Sequence, residues 1–134
     1  MVSTSRTEVQ AEWVDYNGHL RDAYYALVFS HAVDALMDQI GLDAAGRARH
    51  RSSLYTVETQ IRYLREVREG QALRVETRRM THDAKRLRLQ QTMFVEDGAE
   101  PVATAEQLLL HVDTDGPRAA PFPEPVLERI RELP

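Results

Sequence analysis

The stretch from Asp22 to about Ile40 constrains this chain more than any other, because nearly its whole circumference is apolar. Tyr24, Tyr25, Leu27, Val28, Phe29, Ala32, Val33, Ala35, Leu36, Met37 and Ile40 recur at helical spacing. The polar positions Ser30, Asp34 and Asp38 leave one narrow stripe at four-residue intervals. Asp22 is an N-cap residue type, and Gly41 can take the left-handed conformation that ends a helix. A helix with so small a wet face is expected to be enclosed by other structure.

Most of the remaining chain reads as strand. Val9, Ala11 and Trp13 alternate with Glu8, Gln10 and Glu12, which predicts a half-buried strand ending at the turn pair Asn17-Gly18. Asp43 to Ser53 reads as a connection of small and basic residues. Four further runs follow. Tyr55, Val57, Thr59, Ile61 and Tyr63 oppose Thr56, Glu58, Gln60, Arg62 and Leu64, and Leu73, Val75 and Thr77 alternate with Arg74, Glu76 and Arg78. Leu87, Leu89 and Met93 lead to the hairpin signal Asp97-Gly98, and Val102, Thr104, Leu108, Leu110 and Val112 make the last run. Prolines 117, 121, 123 and 125 precede a short amphipathic helix, Val126 to Leu133. The expected architecture is α+β: a five-stranded antiparallel sheet wrapped around a long central helix, with a short C-terminal helix, as one domain spanning 1–134. Such a sheet has unprotected edges, so a homo-oligomer is expected.

Composition narrows the chemistry. The 134 residues, 43% hydrophobic, suffice for one core, and a net charge of -4 does not favour a nucleic-acid surface. There is no cysteine, which excludes disulfides, thiolate nucleophiles and cysteine-bound zinc, and the five histidines lack the His-x-x-x-His spacing of a zinc hydrolase. The opening Met1-Val2-Ser3-Thr4-Ser5-Arg6 is not the apolar run of a signal peptide, and no stretch approaches the roughly 20 apolar residues of a membrane span. A cytoplasmic protein is expected, with no metal, nucleic-acid or membrane partner.

The chemistry-bearing candidate is Asp15-Tyr16-Asn17-Gly18-His19, between the first predicted strand and the apolar helix. Asp15 there can activate water or attack a carbonyl, or it can merely cap the Asn-Gly turn. Trp13-Val14-Asp15-Tyr16-Asn17-Gly18-His19-Leu20 followed by a helix bearing Tyr24 and Tyr25 resembles the hotdog-fold thioesterases, through their Asp-x-Asn-x-His motif. The chain is similar in order and spacing, from about Arg6 to Val112, to the 4-hydroxybenzoyl-CoA thioesterase group and to plant acyl-ACP thioesterases. A narrower likeness, to the thioesterases of carnitine breakdown that act on betainyl-CoA, lies in the same turn and in the runs 55–59, 64–67 and 103–112.

The resemblance implies hydrolysis of a small acyl-CoA to free acid and CoA, possible on betainyl-CoA, with CoA as part of the substrate and no cofactor. It implies a homodimer or homotetramer with the site at the subunit interface. Asp15 is then general base or nucleophile, with Asn17 and His19 orienting water or carbonyl. Backbone N–H groups of Gly18, His19 and Leu20 are the expected oxyanion donors. Glu58 or Glu66, placed on one face by parity, is the expected second acid, with Glu58 preferred. Glu66 reproduces the Tyr-x-x-Glu spacing of the plant enzymes through Tyr63.

A trimethylammonium group has no N–H to donate and would be held by aromatic faces, for which Trp13, Tyr16, Tyr24, Tyr25, Tyr55 and Tyr63 are candidates. They suit a general apolar pocket equally. With no glycine-rich phosphate loop, Lys85, Arg86 and Arg88 are the expected CoA contacts, and Arg47, Arg49 and Arg51 a second basic patch. His31, where some relatives place a catalytic glutamate, and His111 are expected to be hydrogen-bonded core histidines. The alternatives are a non-catalytic acyl-CoA-binding hotdog module and a hotdog dehydratase or hydratase.

Overall fold

The computed structural model describes residues 3–134. Along the chain run β1 (Ser3–Glu8), α1 (Asp22–Gln39), α2 (Ala44–His50), β2 (Ser52–Tyr63), β3 (Ala72–His82), β4 (Arg86–Val95), β5 (Pro101–Asp113), β6 (Arg118–Ala119) and α3 (Glu124–Arg131). The strands form one curled antiparallel sheet in the order β1-β3-β4-β5-β2, with β6 added to β5. Among the described residues there are thus six strands rather than five, the sixth being only two residues long. No helix among them is long and apolar enough to cross a membrane.

The first strand lies upstream of its expected place. Its alternate positions Ser3, Ser5 and Thr7 pair with Thr77, Val75 and Leu73 of β3, so small polar residues occupy the positions where the period-2 pattern would have placed apolar ones. Ala11–Trp13, expected as strand, is a 3-10 turn. The supposed connection after α1 holds α2, whose N-cap Asp43 accepts a hydrogen bond from Gly46 N–H at 2.8 Å. Asp22 begins α1 with Arg21 as the N-cap, and Gly41 follows it at φ 87, in the left-handed region.

Alternate residues of β3, β4 and β5 face α1 and α3 on one side of the sheet. Tyr25, Val28, Phe29 and Ala32 pack with Leu73, Val75, Met93, Ala103 and Ala105 in one cluster. Val33, Leu36, Met37 and Ile40 pack with Leu87, Leu89, Leu109 and the Val126 and Ile130 face of α3 in another. Ser30, His31, Asp34, Asp38 and Gln39 of α1 are exposed, so within one chain the helix is covered on one side and not enclosed. His31 is a surface residue, not a core one.

Between the two clusters lies a polar layer. Gln91, fully buried, donates to Phe29 O at 3.1 Å and to Thr77 Oγ1 at 3.4 Å. Gln107 Nε2 donates to Gln91 Oε1 at 3.0 Å, and Thr59 Oγ1 donates to Gln107 Oε1 at 2.6 Å. The ladder crosses from β3 to the edge strand β2 and fastens α1 at its middle. His111 is buried as expected: its Nδ1 lies 2.6 Å from Ala120 O and its Nε2 2.9 Å from Ser52 Oγ.

Removing one member of a buried hydrogen-bonded pair leaves the other unsatisfied, whereas removing both does not. Gln107→Ala should therefore destabilise the fold by about 2 kcal/mol, from the orphaned Gln91 oxygen and the cavity left behind. The double substitution Gln91→Leu, Gln107→Leu should cost less than the sum of the single ones. Denaturant midpoints of the four proteins check this; strict additivity would show that the ladder is not a coupled unit.

Candidate active site

The loop before α1 is a closed miniature hairpin. Val14 bridges Leu20, Asp15 N–H donates to His19 O at 2.9 Å, and Gly18 N–H donates to Asp15 O at 2.9 Å. Gly18 sits at φ 76, a conformation that a residue with a Cβ adopts only with strain. The hairpin is tied to the β2–β3 connection by Leu20 N–H to Val67 O at 2.7 Å and Glu69 N–H to Gly18 O at 3.3 Å. Local turn chemistry and long-range bonds thus hold one loop in one shape.

Asp15 is both cap and candidate reactant. Its Oδ1 accepts from Asn17 N–H at 2.8 Å and from His19 N–H at 3.2 Å. Its Oδ2 has no donor among the described residues. The His19 backbone bond is the main cause that holds the Asp15 carboxyl below its ordinary pKa, with help from Asn17 N–H and the charges of His19 and Arg21. The result is an ionised carboxylate with one oxygen fixed and the other open.

The expected oxyanion donors do not survive. Gly18, His19 and Leu20 N–H already bond to Asp15 O, Asp15 Oδ1 and Val67 O. The turn consumes its own donors. At the start of α1, Ala23 N–H bonds to Asp22 Oδ1 and Tyr24 N–H to Arg21 O, while the Asp22 N–H has no acceptor among the described residues.

Glu58 and Glu66 both lie beyond a bulge in β2. Thr56 pairs with Leu109 and Glu58 with Leu108, so Val57 is the extra residue and the facing of β2 reverses there. Glu58 shares the side of Leu108, away from α1, whereas Glu66 lies past the end of β2 at Tyr63, where strand parity no longer applies. Glu66 instead reaches the turn: its Oε2 lies 3.3 Å from His19 Nε2.

The aromatic candidates also divide. Trp13 stacks on Tyr24 with ring centroids 5.8 Å apart, as part of the packing around the first core cluster. Tyr16, at the hairpin tip, is 94% exposed, and Tyr55 lies on the outer side of β2, so neither lines the cavity that Tyr25 and Tyr63 share. Tyr25 and Tyr63 meet edge to face at 5.1 Å and line a cavity of about 340 Å³ with Leu20, Asp22, Leu64, Arg65 and Glu66. Tyr25 Oη donates to Arg65 O at 3.0 Å, and its pKa is raised by burial and then by the Glu66 charge. Asp22, Leu64 and Arg65 were not singled out as lining residues by spacing. From sequence Asp22 reads only as a helix cap, and the 64–67 run is the signal that points to Leu64 and Arg65.

Arg86 and Arg88 line a second cavity, of about 410 Å³, with Thr81, His82, Asp83 and Leu108. Lys85 is at the adjoining hairpin tip, where Asp83 Oδ1 accepts from Lys85 and Arg86 N–H. Leu73 to His82 spans about 30 Å of strand, so these residues lie at the far end of the sheet from Asp15 in the same chain. In the other basic patch, Arg47 donates to Leu42 O and Arg51 to Asp115.

The chain belongs to the thioesterase-like superfamily, whose model matches residues 9–130, and it is accordingly a thioester hydrolase. Over 133 residues it is 48% identical to the betainyl-CoA thioesterase of Pseudomonas aeruginosa, covering 99% of this chain and 84% of that protein. It is 49% identical over 125 residues to the L-carnitine dehydrogenase/betainyl-CoA thioesterase of Agrobacterium fabrum, covering 93% of this chain but 25% of that longer protein. A Staphylococcus aureus protein solved in complex with CoA superposes with a TM-score of 0.92 at 30% identity, covering 98% of this chain and 83% of that one.

If ionised Asp15 is required, its depressed pKa keeps the active form populated at and above ordinary carboxylate values, and activity is lost only as pH falls through the depressed value. The kcat/KM profile of a cleaved thioester should therefore have no Asp15 limb between about pH 5 and 7. An acid limb near neutrality that persists in His19→Gln would overturn this assignment.

Proposed function

We propose that this enzyme hydrolyses betainyl-CoA to betaine and CoA in the cytoplasm, as a single domain needing no cofactor beyond the CoA its substrate carries. The observation that carries the chemistry is the open Oδ2 of an ionised, turn-fixed Asp15 beside the N-terminus of α1. The substrate rests on the likeness to the Pseudomonas aeruginosa enzyme, together with an aromatic cavity one hydrogen-bonded loop away.

In this reading water adds to the thioester carbonyl, the C–S bond breaks, and CoA leaves as thiol with the proton that water gives up. Asp15 either accepts that proton or attacks first, forming a mixed anhydride that water then cleaves. The developing oxyanion is received by Asp22 N–H, where the helix dipole adds favourable potential. Asn17 and His19 orient the reactants, and Glu66 holds the His19 ring. The long α1 is then the central helix of a hotdog fold, enclosed only when a second subunit is present.

That second subunit is part of the proposal. β2 is twelve residues long, bonded on one side to β5, and exposes Tyr55, Val57 and Tyr63. An edge so long and apolar invites pairing. A second copy pairing β2 with β2 antiparallel would bring its Arg86 and Arg88 end to the level of this chain's Tyr63. The lateral separation would be about 15 Å across three strand spacings, within reach of an extended CoA phosphate tail.

Two measurements test these points. Asp15→Asn preserves the Oδ1 acceptor of the turn and should fold normally, yet thiol release from betainyl-CoA should fall on the order of a hundredfold or more while CoA-ester binding remains. Undiminished turnover would remove Asp15 from the mechanism, and binding without turnover by the unaltered protein would favour an acyl-CoA-binding module. Separately, Val57→Lys should convert the oligomer to monomer in sedimentation analysis and remove activity with it. An unchanged assembly would exclude β2 as the interface.

A further inference from the structure

The cavity lined by Tyr25 and Tyr63 has a charge pattern that hydrolysis as such does not require. Two carboxylates, Glu66 and Asp22, line it beside two aromatic rings and two leucines, Leu20 and Leu64. Its one basic lining residue is neutralised, since the Arg65 guanidinium lies 3.3 Å from Glu100 Oε2. Asp22 is partly engaged, its Oδ1 accepting from Ala23 N–H at 2.8 Å. Glu66 is 76% exposed at its side chain; its Oε2 lies 3.3 Å from His19 Nε2, while its Oε1 has no partner among the described residues and leaves part of the charge at the cavity mouth. A general acyl pocket gains nothing from such charge, because an alkyl or aromatic acyl chain would desolvate the carboxylate without pairing it. An anionic acyl group would be repelled.

We propose that Glu66, assisted by Asp22 and walled by Tyr25 and Tyr63, is the specificity-determining element that selects acyl groups bearing a quaternary ammonium. A trimethylammonium cation cannot donate a hydrogen bond, so it is recognised by aromatic surface and by uncompensated negative charge at van der Waals distance. Both are present on one cavity wall. The same charge excludes the phosphate end of CoA, so the substrate enters with its cationic acyl group toward Glu66 and its phosphates directed away. Glu66 acts on selection through its charge: its hold on the His19 ring serves every substrate alike, so only the charge contributes to the difference between a cationic and a neutral acyl group.

This inference rests on the proposed hydrolysis of a cationic acyl-CoA and is tested with a pair of substrates. Betainyl-CoA and tert-butylacetyl-CoA have the same shape and differ in replacing the nitrogen cation by carbon. The readout is the ratio of their kcat/KM values. The unaltered enzyme should favour the cation, and Glu66→Gln should lower that ratio roughly tenfold, chiefly through KM, with Asp22→Asn lowering it less. Glu66→Asp should restore part of the ratio, which a loss of folding or of common chemistry would not allow. A ratio unchanged in both Glu66→Gln and Asp22→Asn, or both substrates losing activity equally in Glu66→Gln, would overturn the selection role while leaving the hydrolase reading intact. An unaltered enzyme that cleaves neither thioester, or only the neutral one, would overturn the proposed substrate and this inference together.

Discussion

Everything in this molecule hangs on how α1 is fastened to the sheet. Phe29, Ala32 and Leu36 are wholly buried against β3, β4 and β5, and burying such side chains contributes about 1.5–3 kcal/mol for each large one. Apolar burial alone would let a helix slide along a smooth sheet face. The Thr77–Gln91–Gln107–Thr59 ladder prevents that, because Gln91 reaches the Phe29 carbonyl at one position only. Its cost is a set of buried polar atoms, each tolerable only because the next satisfies it. The position of the helix N-terminus, and with it the Asp15 turn, follows from that register.

The Asp15 turn shows that a capping carboxylate can keep one oxygen open, so the proposed reactant and the cap need not be alternatives. Two backbone N–H groups on Oδ1 hold the carboxylate in place and in its charged form, and they use one oxygen to do so. What the cap costs is donors: the amides expected to receive an oxyanion are the ones that fix the carboxylate. In the proposed mechanism the donor role passes to the first turn of α1, which is held against the hairpin by Arg21 N–H to Trp13 O at 3.0 Å.

Long periodic elements were legible in the sequence, and exceptions to periodicity were not. The apolar run of α1, the Asp97-Gly98 turn and the alternation of β3, β4 and β5 all report side chains that face a core, so their order could be read directly. β1 could not, because its paired inner positions are Ser and Thr beside a strand that supplies the apolar partners. Nor could α2, whose signal is a single Asp43 cap. At Val57 one inserted residue reverses the facing of β2 and puts Tyr55 outside while Tyr63 meets the helix; the 55–59 run favours Glu58, whereas Glu66, beyond the end of β2, is the one that reaches the turn. The Asp-x-Asn-x-His spacing was readable since it is local. The pairing of Tyr25 with Tyr63, 38 positions along by their numbers, depends on how β2 returns to the helix start.

Charge placement links these features into one direction along the molecule. The end bearing the Asp15 turn carries Asp22 and Glu66 at a cavity, whereas the far end of the same sheet carries Arg86 and Arg88 at another. A net charge of -4 does not reveal this, since it sums over both ends. A substrate with a cation at one end and phosphates at the other has the complementary polarity, and only one of its two orientations satisfies both cavities. Within one chain those cavities lie toward opposite ends of strands about 30 Å long. Antiparallel pairing of the β2 edges reverses one copy relative to the other and places the basic end of each beside the acidic end of its neighbour. On the proposed pairing, the exposed apolar edge and the split charge have one physical explanation: each copy would supply the half of a site that its neighbour lacks.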